Sequence, residues 1–176
     1  MSLQIGDAVP QFSLPATDGL QHSPPARGEA AATVIVFTCN HCPYALAWED
    51  RLLDVGRDYV EKGVSMLAIN PNDAARKPAD SFEAMKARLA ETPWPIAYLR
   101  DEDQTVAAAF DAKTTPDVFL FDSAGKLAYR GAPDADYHDP SLKAEWLRAA
   151  IDAVLGAATP SPAQTEPVGC SIKWKS

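Results

Sequence analysis

The sequence has few cysteines, a deficit of basic residues and no long apolar run. Three cysteines are too few for the disulfide framework of a small secreted domain. The 16 basic residues are outnumbered by 24 acidic ones, and the net charge of −8 argues against nucleic-acid partners because it repels phosphate. No window approaches the roughly 18 apolar residues of a membrane span, and no basic-then-apolar leader opens the chain. We therefore expect a cytoplasmic protein without a membrane partner.

Length and composition predict one folded domain that has an extended arm at its N-terminus and a linker and tail at its C-terminus. A chain of 176 residues, 47% of them hydrophobic, can bury one ample core. The domain is predicted over 1–156, and it begins with an extended arm over 1–32 that is rich in Pro, Gly, Asp and Ser. Residues 157–176 are predicted to form a linker and a tail that docks on the domain.

Apolar runs alternate with helical spacing through the middle of the chain. Residues 34–37 are β-branched and aromatic without a polar break, which predicts a strand buried on both faces of a sheet. The spacing of Leu46, Leu53 and Val60 predicts a helix that follows the cysteines and ends at Gly63. The fold class is therefore α/β.

The same patterns predict the later elements. We expect strands over 64–69 and 96–99, helices over 81–89, 103–110 and 142–155, and a hairpin that joins strands 118–121 and 127–130. The hairpin strands are antiparallel while the earlier strands alternate with helices. The prediction is thus a mixed central sheet flanked by helices.

Cys39 and Cys42 stand between the first buried strand and the following helix. A cysteine reacts as its thiolate, and a helix N-terminus favours that anion through unpaired N–H groups and the helix dipole. Cys42 follows Cys39 by about one helical turn, close enough to attack a mixed disulfide formed on Cys39. The spacing predicts a redox pair in which Cys39 attacks and Cys42 resolves.

The motif could instead bind a metal ion, and the histidine within it has two possible roles. A closed zinc site needs about four ligands, and no second Cys-x-x-Cys or His pair at ligand spacing exists, so neither a metal nor a cofactor is expected. His41, between the cysteines, is predicted to stabilise the Cys39 thiolate as imidazolium or through a hydrogen bond. Its alternative is a solvated loop histidine.

A Thr-Pro pair precedes the strand at 118–121. Pro116 lacks an N–H and therefore fits the first position of a strand or an edge. A cis bond after Thr115 would let the backbone face a neighbouring loop.

With these residues in place, the chain resembles the thioredoxin superfamily. A strand, the CNHCP motif at Cys39 and Cys42, a helix, and then Thr115-Pro116 before a hairpin are similar to its peroxiredoxin-like (redoxin) branch, which includes alkyl hydroperoxide reductase and thiol-specific antioxidant proteins. The opening residues 6–14 also resemble the entry of peroxiredoxins and membrane-linked thiol reductases. The resemblance implies a thioredoxin-like fold and a thiol-disulfide oxidoreductase acting on protein or small-molecule disulfides and thiols. It also implies a cis Pro116 that faces the cysteines and a Thr115 backbone that binds a substrate strand.

The chain departs from both patterns in the superfamily. Thioredoxins have a tryptophan before the first cysteine and a buried acid six residues ahead of it, where this chain has Thr38 and Thr33. Peroxiredoxins have a threonine three residues before the reactive cysteine and a proline four residues before that threonine. Those places hold Val36 and Ala32 counted from Cys39, and Cys39 and Ile35 counted from Cys42. A thiol peroxidase acting on hydroperoxides is therefore an alternative without motif support. A metal-handling or non-catalytic binding protein on this scaffold is a further alternative.

The tail carries the third cysteine. Cys170, Ile172 and Trp174 alternate with polar residues, which predicts a half-buried strand. Cys170 is a candidate to receive a disulfide from Cys39 or Cys42, and its alternative is a small buried hydrophobe.

An acidic stretch follows the second strand of the predicted hairpin. Asp134, Asp136 and Asp139 lack the spacing of a calcium loop, so we expect a solvated loop there. His22 and His138 are expected to be surface histidines.

Overall fold

The computed structural model describes residues 3–176, so the first two residues of the predicted arm lie outside the described part. The strands are, in chain order, β1 (Leu14–Pro15), β2 (Gln21–His22), β3 (Ala32–Phe37), β4 (Val64–Asn70), β5 (Ala97–Arg100), β6 (Thr114–Thr115), β7 (Asp117–Asp122), β8 (Leu127–Gly131) and β9 (Cys170–Ser171). The helices are α1 (Pro43–Tyr59), α2 (Phe82–Glu91), α3 (Thr105–Phe110) and α4 (Glu145–Leu155). Short 3₁₀ turns cover Val60–Lys62 and Pro78–Asp80.

The main sheet has five strands in the order β5-β4-β3-β7-β8. β3 lies at its centre, parallel to β4 and antiparallel to β7, and all six of its residues are buried. This confirms the predicted mixed sheet and its doubly buried strand. β-branched residues suit this place because their stiff side chains pack well on a pleated surface.

The core lies in two layers, one on each face of the sheet. Val34 and Val36 face a layer built with side chains of α1, α2 and α4, including Trp48 and Ile151. Phe37 faces the other layer, where α3, the arm and the tail pack together. Both ends of the chain therefore cover the same face of the sheet.

The buried face of α1 differs from the predicted one. Its core residues include Trp48, Leu52, Val55 and Tyr59, spaced by four, three and four residues as a helix face requires. Leu46 and Val60 point outward, with 42% and 60% of their surfaces exposed. The regular helix ends at Tyr59 and a 3₁₀ turn follows. The left-handed Gly63 that closes this turn (φ 82°) confirms the predicted stop.

The predicted solvated acidic loop is wrong for its first member. Asp134 is buried and accepts hydrogen bonds from Trp48 Nε1 at 2.9 Å and Arg51 Nη1 at 2.9 Å. The backbone N–H of Ala144 donates to the same carboxylate at 3.0 Å. This bond holds the residue that precedes α4, which begins at Glu145, three residues later than predicted.

The tail docks on the domain, as its alternating pattern predicts. β9 pairs with β6 in an antiparallel ladder, and Ile172 is buried in the second core layer. Trp174 remains 39% exposed, so the predicted inward face ends at Ile172. The boundaries at 32 and 156 stay predictions. Within the described residues, no helix has both the length and the apolar character needed to cross a bilayer.

Replacing Asp134 should test how far the fold depends on its buried ion pair. We expect Asp134→Ala to lower the free energy of unfolding by about 3–5 kcal/mol, because Arg51 would stay buried without its counter-charge. Urea denaturation measures the loss. The matched control is Asp54→Ala, which breaks an exposed pair with Arg57 and should cost no more than about 1 kcal/mol. Equal losses in both variants would contradict this prediction.

Candidate active site

The two motif cysteines lie where the central strand gives way to the first helix. Cys39 follows β3 by two residues, and Cys42 is the N-cap of α1, with Pro43 as the first helical residue. Proline suits that position because its missing N–H would have no partner there. Both cysteines are free thiols with 0% of their surface exposed.

The Thr115-Pro116 segment lies directly against these cysteines. Cys39 Sγ is 3.3 Å from Thr115 Oγ1, and the Cys42 thiol donates to the Thr115 carbonyl oxygen at 3.3 Å. The Thr115–Pro116 peptide bond is cis, as the family resemblance implies. The structure thus brings together four of the six predicted site residues: Cys39, Cys42, Thr115 and Pro116.

The structure favours the thiolate on Cys42, whereas the sequence predicted Cys39. The pKa of Cys42 is lowered to about 4, chiefly because the Cys39 thiol can hydrogen-bond to the anion. Burial opposes this shift, whereas hydrogen bonds from the Cys170 thiol and the Ala45 N–H lower the pKa of Cys42 further. The start of α1 also acts on Cys42, since this residue is the N-cap and the N–H of Ala45 hydrogen-bonds to its sulfur.

The pKa of Cys39 shifts in the opposite direction. Its pKa is raised because it is the donor to Cys42, because it is buried, and because the charge of Asp80 lies nearby. The Thr115 hydroxyl opposes this shift in part. When Cys42 is ionised, the reduced pair consists of a thiolate at the helix start and a thiol that stabilises it. When Cys42 is protonated, its thiol donates to the Thr115 carbonyl oxygen.

His41 is held by a buried carboxylate that the sequence analysis missed. Its Nδ1 lies 2.5 Å from an oxygen of Asp80, whose side chain is fully buried. Asp80 also accepts from the backbone N–H of Asn40 at 2.6 Å and from the amides of Asn70 at 3.0 Å and Asn72 at 3.1 Å. His41 is therefore fixed in orientation and is not a freely solvated loop histidine.

Asp80 gave no recognisable signal in the sequence. It ends the 3₁₀ turn Pro78–Asp80, just before Ser81, whose side chain caps α2. Asn70 and Asn72, which donate to Asp80, belong to a segment whose sequence is typical of an ordinary turn. Their amides point inward because β4 extends to Asn70 and the segment therefore lies beneath the cysteine motif.

The loop between the cysteines is fixed from a second direction. Tyr98 donates its hydroxyl to Asn40 Oδ1 at 2.8 Å and accepts from the Asn70 amide at 3.1 Å. Burial raises the pKa of Tyr98 well above its usual range, so the phenol stays a donor. This loop is therefore tied to β4 and β5.

Three ligand atoms at the motif are the basis for the metal-handling alternative. Cys39 Sγ, His41 Nδ1 and a carboxylate oxygen of Asp80 lie within 4.8 Å of one another. Over residues 3–176, no fourth His, Cys, Asp or Glu belongs to this group. Both oxygens of Asp80 already accept hydrogen bonds, and a structural zinc needs about four ligands. The set therefore fits an oriented imidazole better than a bound ion.

The third cysteine completes the site. Cys170 is the β-sheet partner of Thr115 and packs against the cluster of Cys39, Cys42 and Ala45. Its pKa is raised to about 11, first by burial and then by its hydrogen bond to Cys42. All six residues predicted from the sequence thus lie in one place, although their chemical roles stay predictions.

Comparisons with known proteins give the family of the chain. The model of the AhpC/TSA family matches residues 5–130. No curated protein matches the chain at a significant level.

Among the solved structures that match are two that cover at least 98% of this chain. An uncharacterized conserved protein from Geobacillus kaustophilus is 41% identical, with a TM-score of 0.92 over 98% of this chain and 93% of that one. A hypothetical protein from Sinorhizobium meliloti is 32% identical, with a TM-score of 0.92 over 100% and 97%. A peroxidoxin from Mycobacterium tuberculosis, 18% identical, has a TM-score of 0.63 over 88% and 97%, which shows the fold alone.

The location of the thiolate can be tested by titration. We expect the ultraviolet absorbance of thiolate in the reduced protein to fall as the pH falls through about 4, the pKa of Cys42. In Cys39→Ala the midpoint should rise toward the ordinary thiol value of about 8.5, because the main donor is gone. Cys170→Ala, which removes a weaker donor, should raise the midpoint less. An unchanged midpoint in Cys39→Ala would contradict the assignment.

Proposed function

Because the chain belongs to the AhpC/TSA family of the thioredoxin superfamily, we propose that it is a thiol-disulfide oxidoreductase that uses Cys39 and Cys42 as its dithiol. The chain has a thioredoxin-like fold and belongs to the redoxin class, which comprises disulfide oxidoreductases and thiol peroxidases. The observation that carries the proposal is the placement of two buried cysteines together at the start of α1 and against Thr115, where the pKa of Cys42 is lowered. Such a pair is poised for two consecutive attacks on sulfur.

The first step belongs to Cys42 in this proposal. Its thiolate attacks one sulfur of a substrate disulfide, which forms a mixed disulfide and releases one substrate thiolate. Cys39 then loses its proton and attacks Cys42 Sγ, which releases the second substrate thiol and leaves a Cys39–Cys42 disulfide. Two electrons pass from the dithiol to the substrate, and an external dithiol restores the reduced pair. This order reverses the one expected from the sequence.

The His41–Asp80 pair supports the second step. Cys39 must lose its proton when it attacks, and its Sγ lies within 4.8 Å of ligand atoms of both side chains. The Asp80 carboxylate fixes the orientation of the imidazole. We assign the pair as the acceptor of the Cys39 proton, the role that Thr33 at the thioredoxin acid position cannot serve.

Thr115 and Pro116 shape access to the sulfurs. Thr115 offers its carbonyl and hydroxyl to the two cysteines, and its backbone pairs with an extended segment, β9. An extended disulfide substrate, whether a protein segment or a small peptide, would use the same backbone groups. The cytoplasmic location expected from the sequence stays a prediction.

A thiol peroxidase is the second candidate, favoured by the family match and by the low pKa of Cys42. In that reaction the Cys42 thiolate attacks a hydroperoxide oxygen, giving a sulfenic acid and an alcohol or water. Cys39 would then attack the sulfenic sulfur, release water and leave the same disulfide. The Thr and Pro of peroxiredoxins are replaced by Cys39 and Ile35, which is why this candidate comes second.

Single cysteine variants test the proposed order. We expect Cys42→Ser to abolish reduction of insulin disulfides with dithiothreitol as donor, because the attacking thiolate is gone. Cys39→Ser should complete the first step only and accumulate a mixed disulfide on Cys42, visible by mass spectrometry. Ser123→Ala, in the exposed turn before β8, is the control and should keep wild-type turnover. Sustained turnover by Cys42→Ser would overturn the proposal, and trapping on Cys39 in that variant would restore the opposite order.

Peroxide consumption separates the two candidates. We expect reduced wild-type protein to turn over insulin disulfides while consuming far less than one equivalent of hydroperoxide on the same timescale. The physical reason is that the threonine and proline of the peroxiredoxin motif are replaced by Cys39 and Ile35. Rapid stoichiometric consumption that disappears in Cys42→Ser would establish the peroxidase instead.

A further inference from the structure

The C-terminal tail, residues 169–175, lies where an extended substrate would pair with Thr115. Cys170 is opposite Thr115 in the β6–β9 ladder. The approach is close, since a Cβ on Gly169 would lie 2.3 Å from the Thr115 carbonyl oxygen. Any larger residue at 169 would therefore push the tail away from the site.

The tail is held in this register by its own backbone. The N–H of Lys173 donates to Asn72 Oδ1 at 2.8 Å, and the Lys173 carbonyl accepts from the N–H of Asp73 at 2.8 Å. The Gln104 amide donates to that carbonyl at 2.9 Å. Together with the buried Ile172, these bonds fix the position of Cys170.

The linker that precedes the tail is also anchored. The Thr165 N–H donates to the Arg130 carbonyl at 3.0 Å, and its hydroxyl accepts from the Ala132 N–H at 3.0 Å. Because the linker is anchored, the tail keeps Cys170 at a high effective concentration near Cys39 and Cys42.

The three sulfurs differ in their access to solvent. Cys39 and Cys42 are fully buried, whereas Cys170 is half-buried. Cys170 also contributes a hydrogen bond that lowers the pKa of Cys42. Of the three cysteines, all within the described part of the chain, Cys170 alone combines contact with Cys42 and exposed surface.

We propose that the tail acts as a built-in substrate: Cys170 forms a reversible disulfide with Cys42 and connects the buried pair to external thiols. This inference rests on the proposed function, because it starts from the Cys39–Cys42 disulfide. The deprotonated Cys170 attacks Cys42 Sγ, the Cys39–Cys42 bond breaks, and Cys39 leaves as a thiolate that takes up a proton. No electrons are gained or lost in this exchange.

External exchange then takes place at the exposed sulfur. A dithiol substrate attacks Cys170 Sγ, which releases the Cys42 thiolate and forms a mixed disulfide on the tail. The second thiol of the substrate resolves that bond, so the substrate leaves oxidised and the protein leaves reduced. The low pKa of Cys42 makes it a good leaving group for this step.

The Cys39→Ser variant isolates the proposed bond. We expect this variant, equilibrated with millimolar oxidised and reduced glutathione, to form an internal Cys42–Cys170 disulfide as its main oxidised species. Mass spectrometry of the intact protein and of its proteolytic peptides detects the loss of two hydrogens and the link between tail and motif. Cys42 carrying glutathione beside a free Cys170 would overturn the inference.

A tail variant provides the matched control. In the Cys39→Ser background, Gly169→Val should lower the effective concentration of Cys170 at Cys42 by about tenfold or more, because the added side chain meets the Thr115 carbonyl. Val168→Ala, at the exposed neighbouring position, should leave the equilibrium unchanged. Equal yields in both variants would contradict a docked tail as the cause.

A third variant separates this inference from the proposed function. Cys170→Ser should still form the Cys39–Cys42 disulfide under the same buffer. If that bond is absent, the proposed function fails. If it is present while Cys39→Ser forms no Cys42–Cys170 bond, only the tail inference fails.

Discussion

The site depends on the position of the Cys42 sulfur, which is buried away from water and lies among hydrogen-bond donors from several parts of the chain. A buried anion is costly unless oriented donors surround it, and Cys42 obtains them from the start of α1 and from the Cys39 and Cys170 thiols. Each of these donors comes from a different part of the chain, so the central strand, the first helix and the tail must all be in place. The electrostatics of one sulfur therefore link the fold to the chemistry.

The parts of this site that follow local patterns could be predicted from the sequence. The strand β3, the following helix and the Cys39–Cys42 spacing are contiguous, so hydrophobic periodicity and motif were sufficient. The approach of Thr115 came instead from the family resemblance. Asp80 could not be predicted because its partners come from a segment whose sequence is typical of a turn. Which of the two cysteines ionises first stays a prediction, because it depends on the exact first residue of a helix, which tertiary contacts set.

The same limit applies to buried charges elsewhere in the fold. Asp134 has the sequence context of a solvated loop, yet it meets Arg51 and Trp48 inside the domain. Asp117, which begins β7, is buried with one oxygen that has no partner among the described residues, and burial raises its pKa to about 6. Composition alone distinguishes neither residue from a surface acid, since the distinction lies in which distant side chain packs against it.

Asn72 joins two parts of the molecule through the two ends of one side chain. Its oxygen accepts from the tail at Lys173, and its amide donates to Asp80, which in turn orients His41. When the tail detaches, the amide loses the bond that fixes its orientation, and the carboxylate is left with a weaker hold on its donor. Occupancy of the tail position and the orientation of the imidazole are thus thermodynamically linked. Any ligand that displaces the tail must also loosen the hydrogen bonds that hold this ring beside the cysteine pair.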